Sequence, residues 1–348
     1  TGPLNESRYD PQYAGVAPQR TSLGVFADNR AHSNGIGLDL DGGPNVETDV
    51  AESSHYAPDQ LADFARFTGF ANTRNGVYYR GNGHIELTDS RLADNHIDVM
   101  FAFNQKVRDT LLAGVTDNDF GGVTKHAFAV YDGPTHAENV HFAGFNVPGA
   151  DLFEVIGAAN RNTNHTFQNV TFDAVTPVTF DDTGPNNSLS RHWGFALRDL
   201  DGTLTGAAGH SIVFDHPMMR TDDDVIPPGW KKARLSPHAF GHLRLIHQLG
   251  PGANPTVSFR REGGPGGIAG HTDSATLDPF NQIGVVLNTD FVYEATYVSS
   301  PTTGLIDLSL TDVVGGGYVY LKINNPWDWF SVENADEKAS EQEVRDSS

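Results

Sequence analysis

Asp94-Asn95-His96 and Asp117-Asn118-Asp119 set two short polar triplets 23 residues apart. If the chain repeats structurally with that period, Asp94 lies beside Asp117 and His96 beside Asp119. Neighbouring β-strands run about 4.8 Å apart. Two carboxylates about 5 Å apart repel by roughly 3 kcal/mol at an effective dielectric near 20. In a partly shielded site that raises one pKa by roughly two units. The separation matches the acid pair of a retaining glycosidase, with Asp94 and Asp117 as candidate catalytic residues. A cation such as Ca²⁺ would relieve the same repulsion, with Asp94, His96, Asp117 and Asp119 as candidate metal ligands. The third reading is a solvated turn, whose short polar side chains bond their own backbone. At this level all three stay open.

The elements that would position these groups are read from a repeat. Asn72, Asn95 and Asn118 are evenly spaced, an apolar residue precedes each by two or three positions, and Val77, Val99 and Val123 follow within five. A unit of this length cannot bury its own apolar face and must stack on its neighbours. About this many residues make one coil of a parallel β-helix, whose turns can hold a ladder of stacked Asn. Asn29 extends the set. In such a coil side chains alternate in and out, so the neighbours of an inward Asn face solvent. Further coils are expected near Val140–Asn146, Phe167–Phe172 and Trp193–Asp199, the last continuing to Ile212–Phe214.

Beyond residue 225 the pattern changes to alternating or apolar runs at 242–247, 256–260, 283–287, 291–298, 305–310 and 318–323, with turn residues between them. These read as antiparallel strands. The expected class is all-β: a parallel β-helix over residues 21–225, then a β-sandwich-like cap over 226–335. An irregular segment (1–20) precedes the helix and an acidic tail (336–348) follows the cap. Residues 44–66 read as an insertion with a short helix around Leu61, Phe64 and Ala65. Asp222-Asp223-Asp224 reads as a solvated boundary loop.

The 348 residues carry 44 acidic against 23 basic side chains, a formal net charge of −21. Nucleic acid needs a cationic footprint and is not an expected partner. Without cysteine there is neither a disulfide nor a thiolate metal site. No apolar stretch reaches transmembrane length, so membrane insertion is not expected. Asn5, Asn164, Asn169 and Asn186 head Asn-x-Ser/Thr sequons. The 15 His show no His-Glu-x-x-His pattern, and neither a Gly-x-Ser-x-Gly elbow nor a phosphate loop is present. Asp39-x-Asp41-Gly42 and Asp199-x-Asp201-Gly202 lack the spacing of an EF-hand and read as local turns. Candidate sugar-binding residues are Arg80, His84, His96 and Tyr78, with Tyr79 alongside. Lys125, His126, Tyr131 and Asp132 form a similar set. Trp327 and Trp329 could stack on sugar or close the cap's core. The net charge disfavours a polyanion unless Arg74, Arg80 and Lys106 cluster.

Three stretches together carry a resemblance: Phe70-Ala71-Asn72-Thr73-Arg74-Asn75-Gly76-Val77-Tyr78-Tyr79-Arg80-Gly81, Arg198-Asp199-Leu200-Asp201-Gly202-Thr203-Leu204-Thr205-Gly206, and Pro228-Gly229-Trp230. Over roughly 20–245 the chain resembles the β-helix region of the family of the cell-migration-inducing hyaluronan-binding protein and transmembrane protein 2. Fibrocystin-like proteins share related helices. The resemblance implies a right-handed helix, an extracellular or cell-surface life, and work on hyaluronan or a similar polysaccharide. It carries over no catalytic motif residue by residue. Two function classes follow. One is a protein that binds or cleaves polysaccharide along the helix face, as hydrolase or lyase. The other is a structural or adhesive module that assembles with itself or with other surface proteins.

Overall fold

The computed structural model describes residues 18–45, 50–119, 121–130, 134–155, 164–173, 178, 180–181, 195–215, 219–249, 256–262, 271–272, 282–289, 291–299, 304–311 and 319–324. The 1–17 segment, the tail after 324, Tyr131, Asp132, Trp327 and Trp329 lie outside these. So do the sequons at Asn5 and Asn186.

Three parallel sheets share one recurring order along the chain, as a parallel β-helix requires. The first sheet stacks Phe26–Ala27, Ala62–Ala65, Ile85–Thr88, Gln105–Arg108, Thr135–Glu138, His165–Gln168 and Ala196–Asp199. The second stacks Arg30–His32, Thr68–Phe70, Arg91–Ala93, Leu111–Ala113, His141–Ala143 and Thr171–Phe172. The third stacks Ile36–Asp39, Asn75–Tyr79, Ile97–Phe101, Lys125–Val130, Ala150–Val155 and Phe180–Asp181. Each coil contributes one strand to each sheet. Alternation sends Phe64, Leu87, Val107, Ala137 and Phe167 of the first sheet inward, where they meet Val77, Val99, Phe128 and Phe153 of the third. Phe142 stacks on Phe167 and Phe172 at 5.8 and 5.2 Å. Burying each such ring contributes about 1.5–3 kcal/mol.

Two sharp corners make the coil possible. Between the first and second sheets, Asp28, Arg66, Asp89, Asp109, Asn139 and Asn169 occupy one column, all at positive φ. Asp and Asn tolerate that left-handed conformation better than other side chains. The column also bonds along its length: Arg66 to Asp28 at 2.8 Å, Asn139 to Asp109 at 2.9 Å and Asn169 to Asn139 at 2.6 Å. One position on, Ser90 Oγ accepts from the Phe67 amide and Thr110 Oγ1 accepts from the Ser90 amide, at 3.0 and 3.2 Å.

The insertion departs from expectation. Asp41–Asn45 and Val50–His55 form an antiparallel hairpin, and Ala62–Ala65 is a strand of the first sheet. No helix forms there: Ala62 and Phe64 point into the core in strand alternation, and period 2 wins over the short helical pattern.

At its C-terminal end the first sheet turns antiparallel. Ala196–Asp199 pairs with Ser211–Phe214, which pairs with Ala233–Ser236. In the Asp222-Asp223-Asp224 loop, Asp222 and Asp223 are exposed as expected, and Asp224 is not. Asp224 is buried, Thr221 Oγ1 donates to it at 2.6 Å, and Arg234 and Arg220 hold Asp215 at 3.2 and 2.7 Å. Every expected C-terminal strand is present within a few residues of its expected bounds. Gln282–Asn288, Phe240–Leu249 and Gly304–Thr311 form an antiparallel sheet. His271–Thr272, Thr256–Arg261, Phe291–Ser299 and Val319–Asn324 form a second, whose last pair is parallel where antiparallel pairing was expected.

Candidate functional site

The corner between the second and third sheets holds the residues that opened the sequence analysis. Ala93 pairs with Phe70 and with Ala113, so the coil steps there are 23 and then 20 residues. Asn72 and Asn95 are thus true neighbours. Asn95 Oδ1 accepts from the Asn72 amide N–H and Nδ2 at 3.1 and 2.8 Å. Asn72 Oδ1 accepts from the Asn34 N–H at 3.1 Å. Asn34, not Asn29, is the rung before Asn72. Asn95 Nδ2 donates on to the Gly69 carbonyl and to Asp98 Oδ1, at 3.1 and 2.9 Å. Asn72 and Asn95 are buried, and glycine makes room for them: a Cβ at Gly76 would lie 2.8 Å from Asn95 Nδ2.

Asn118 is no rung. Val115 holds the level of Asn95, and the turn that follows it before the strand at Lys125 is longer than the one on the coil before. Asn118 is exposed and Val123 is half exposed. The equal 23-residue spacing to Asn118 arises from a shorter coil followed by a longer turn. Asp94 therefore lies level with Gly114, not beside Asp117. Its left-handed backbone (φ 55°) turns its carboxylate toward Thr116, which donates its N–H at 2.9 Å and its Oγ1 at 2.6 Å. Asp119 pairs with Lys125 at 3.0 Å, both side chains largely buried. The Nδ1–H of His96 donates to the Thr124 carbonyl at 2.8 Å, and its ring meets His126 edge-on at 5.5 Å. Asp117 is exposed, with no hydrogen bond or ion pair among the described residues. No group of three or more His, Asp or Glu able to hold a metal forms among the described residues. The four candidate ligands do not fit a Ca²⁺ cage, because Thr116 and Lys125 already occupy two of the carboxylates.

Asp98 completes the corner. It takes the column position that glycine holds at Gly37 and Gly76, and it ends the Asn ladder. Burial pushes its carboxyl well above the ordinary value, the Asn95 amide opposing and Asp94 adding to the rise. Its Oδ2 has no hydrogen-bond partner among the described residues.

The expected sugar-binding residues scatter. Tyr78 faces outward from the third sheet, level with Asp39 and Met100, and packs on Ile97, Met100 and Ala129. Tyr79 points into the core, donates to the Tyr56 carbonyl and accepts from the Gly83 N–H; burial pushes it up to about 12. Arg80 is half-buried beyond the end of that strand, and His84 is exposed at the entry to the first sheet. Lys125 and His126 are buried. Arg74, Arg80 and Lys106 do not cluster: Arg74 follows the ladder corner, Arg80 lies past the third sheet, and Lys106 pairs with Glu138 on the first at 3.1 Å.

Of the two Asp-x-Asp-Gly segments only Asp199-x-Asp201-Gly202 is a local turn, as expected; Asp39 ends the strand Ile36–Asp39 and Asp41-Gly42 opens the hairpin strand Asp41–Asn45. Asp39 Oδ1 accepts from the Asp41 N–H at 3.0 Å. Asp199, fully buried, gathers the N–H groups of Gly202, Leu204 and Thr205 at 3.1, 3.0 and 2.7 Å. Its role is to fold the loop.

A different face carries two open cations, Arg30 and Arg91. Outward positions of the second sheet hold Arg30, Thr68, Arg91, Leu111 and His141 in one row, and His32, Phe70 and Ala93 in the other. His32 stacks on Phe70 with ring centroids 4.6 Å apart and planes 17° apart. Sequence reasoning passed over this face. Its signal was the outward register 30, 68, 91, hidden because the first step is 38 residues and the next 23.

No protein-family model matches the chain. Its sequence is similar to the human (Homo sapiens) cell surface hyaluronidase CEMIP2, 27% identical over 260 residues, an alignment that covers 54% of this chain. It covers 18% of that hyaluronidase, so the chain spans less than a fifth of the relative, and the likeness supports a distant relationship to that family.

Proposed function

We propose that this chain is an extracellular β-helix module that binds a polysaccharide along the outside of its coils, hyaluronan or a glycan like it. The observation that carries the reading is the distant relationship to a cell surface hyaluronidase over half the chain. The architecture supports it, because stacked parallel strands make a stiff face along which an extended polymer can repeat its contacts. Among the described residues no helix is long and apolar enough to cross a membrane. Asp94 and Asp119 serve the corner through Thr116 and Lys125, so of the expected acids only Asp117 stays open to a ligand.

The test is incubation with a panel of acidic and neutral polysaccharides, with and without a chelator, followed by sizing of the glycan and by affinity electrophoresis. Retardation by at least one acidic glycan is expected. Chain shortening would add catalysis to binding. Neither retardation nor shortening on any glycan would sink the reading and leave a structural module in its place.

A further inference from the structure

The outer face of the second sheet differs from those of the first and third in the balance of its charges. On the first sheet, cations answer anions across strands: Arg108 meets Glu86 at 3.5 Å and Lys106 meets Glu138 at 3.1 Å. On the third sheet, Asp39 and Glu154 lie in the row that runs through Tyr78, Met100 and Ala129. The second sheet has no carboxylate at an outward strand position from Arg30 to Ala143; Asp173, level with Ala143 at the far end, accepts from the Gly144 N–H at 3.0 Å. Arg30 and Arg91 are exposed there, and neither has an ion pair among the described residues. The acids at the corner before this face are engaged elsewhere. Asp28 binds Arg66 in two hydrogen bonds of 2.8 and 2.9 Å, and Asp89 acts on the same guanidinium. Asp94, at the corner after it, is turned to Thr116.

The two arginines are set apart by the strand lattice. Arg30 pairs with Thr68 and Thr68 with Arg91, so the guanidinium groups rise from backbones two strand spacings apart, about 10 Å. Next to Thr68, Phe70 exposes 39% of its surface and stacks on His32. An aromatic face with a free side and flanking guanidinium donors suits a sugar ring that bears a carboxylate. The ring's C–H face lies on the aromatic, and the carboxylate takes a bidentate arginine. In a chain of net charge −21, an acid-free face is where a polyanion meets least repulsion.

We infer that the outer face of the second sheet, centred on Arg30, Phe70 and Arg91, is the binding track for a carboxylate-bearing linear glycan that crosses the strands. This rests on the glycan reading above and adds the face, the contacts and the chemical class. The experiment compares wild type, Arg30→Glu/Arg91→Glu, Arg30→Gln/Arg91→Gln and the first-sheet control Lys106→Glu. The readout is affinity electrophoresis in hyaluronan, in carboxyl-reduced hyaluronan and in dextran, at low and high salt, with light scattering of each protein. The expected result is wild-type retardation by hyaluronan that salt weakens, little retardation by the two uncharged polymers, and a loss of about tenfold or more in apparent affinity in both double variants. The Lys106→Glu control should stay near wild type. The glutamine pair, which adds no charge, guards against misfolding of the glutamate pair, and thermal melts report both.

Hyaluronan retardation that survives both double variants overturns the track and leaves the glycan reading standing. Equal retardation by carboxyl-reduced hyaluronan overturns the carboxylate contact. Binding of no glycan by wild type takes down the broader reading and the track with it. Concentration-dependent self-association abolished by the same substitutions assigns the face to a second copy of the chain instead.

Discussion

Two polar regions lie only a few residues apart on every early coil, and they use their polar groups in opposite ways. In the corner after the second sheet, Asn72, Asn95 and Asp98 bond to one another in a buried file, which the backbone N–H of exposed Asn34 joins at its end. On the outer face of the second sheet, the side chains of Arg30 and Arg91 form no hydrogen bond or ion pair with any described residue. The corner spends its hydrogen-bonding capacity on the fold, and the face keeps its capacity open. Residue type alone would have ranked them the other way, because Asp, Asn and His near a turn look more like chemistry than two arginines on short strands. Partners, not types, separate the structural polar group from the available one.

If that division is right, stability and binding separate cleanly under substitution. The largest expected effect on stability is at Asn95. Asn95→Ala removes the acceptor of two Asn72 donors and the donor to Asp98, and should cost about 3 kcal/mol in urea unfolding. A loss below about 1 kcal/mol would mean the ladder is dispensable. Gly76→Ala should cost about 2 kcal/mol, since the new methyl would sit against the Asn95 amide and the Asp98 carbonyl. Unchanged unfolding would show that the corner yields easily.

A pH series sharpens the same contrast within the buried groups. His165 is buried, its Nδ1 accepts from the Thr135 N–H at 2.9 Å, and burial brings its pKa down from 6.5 to about 3. His136, mainly by burial and then by Lys106, comes down to about 4. Folded values below the unfolded one mean that the unfolded chain binds protons first. Their contribution is present above pH 6.5 and is lost as pH falls toward those folded values. Urea midpoints should drop between pH 7 and pH 5, and less so in His165→Gln once its own baseline is subtracted. A midpoint that rises on acidification would contradict this. Asp98 has the opposite sign: its raised carboxyl weakens the fold as pH climbs from its ordinary value, so Asp98→Asn should flatten that limb.

The smallest expected stability change belongs to the face. Arg30→Gln/Arg91→Gln should stay within about 0.5 kcal/mol of wild type, while glycan retardation falls. Loss of stability there comparable to that of Asn95→Ala would erase the distinction between the two regions.

Much of this was legible in the sequence. The stacked solenoid, the inward valines Val77 and Val99, the pairing of Asn72 with Asn95, and the strand positions after residue 230 followed from apolar period and turn residues. Those signals are local and survive without neighbours. Asn118 misled because a 20-residue step to Val115, plus three residues into the longer turn that follows, reproduces the 23-residue period of the coil before. The short helix misled because Leu61, Phe64 and Ala65 fit two periodicities at once.

The sequence by itself determined that strands stack in coils, and it supplied the Asn, Asp and Gly that left-handed corners require. Only the tertiary structure decided which column each residue enters, because register depends on loop lengths that differ from coil to coil. Register moved Asp94 away from Asp117 and onto Thr116, and it set Arg30, Phe70 and Arg91 together on one open face. A one-residue slip would send every one of those side chains to the opposite side of the sheet.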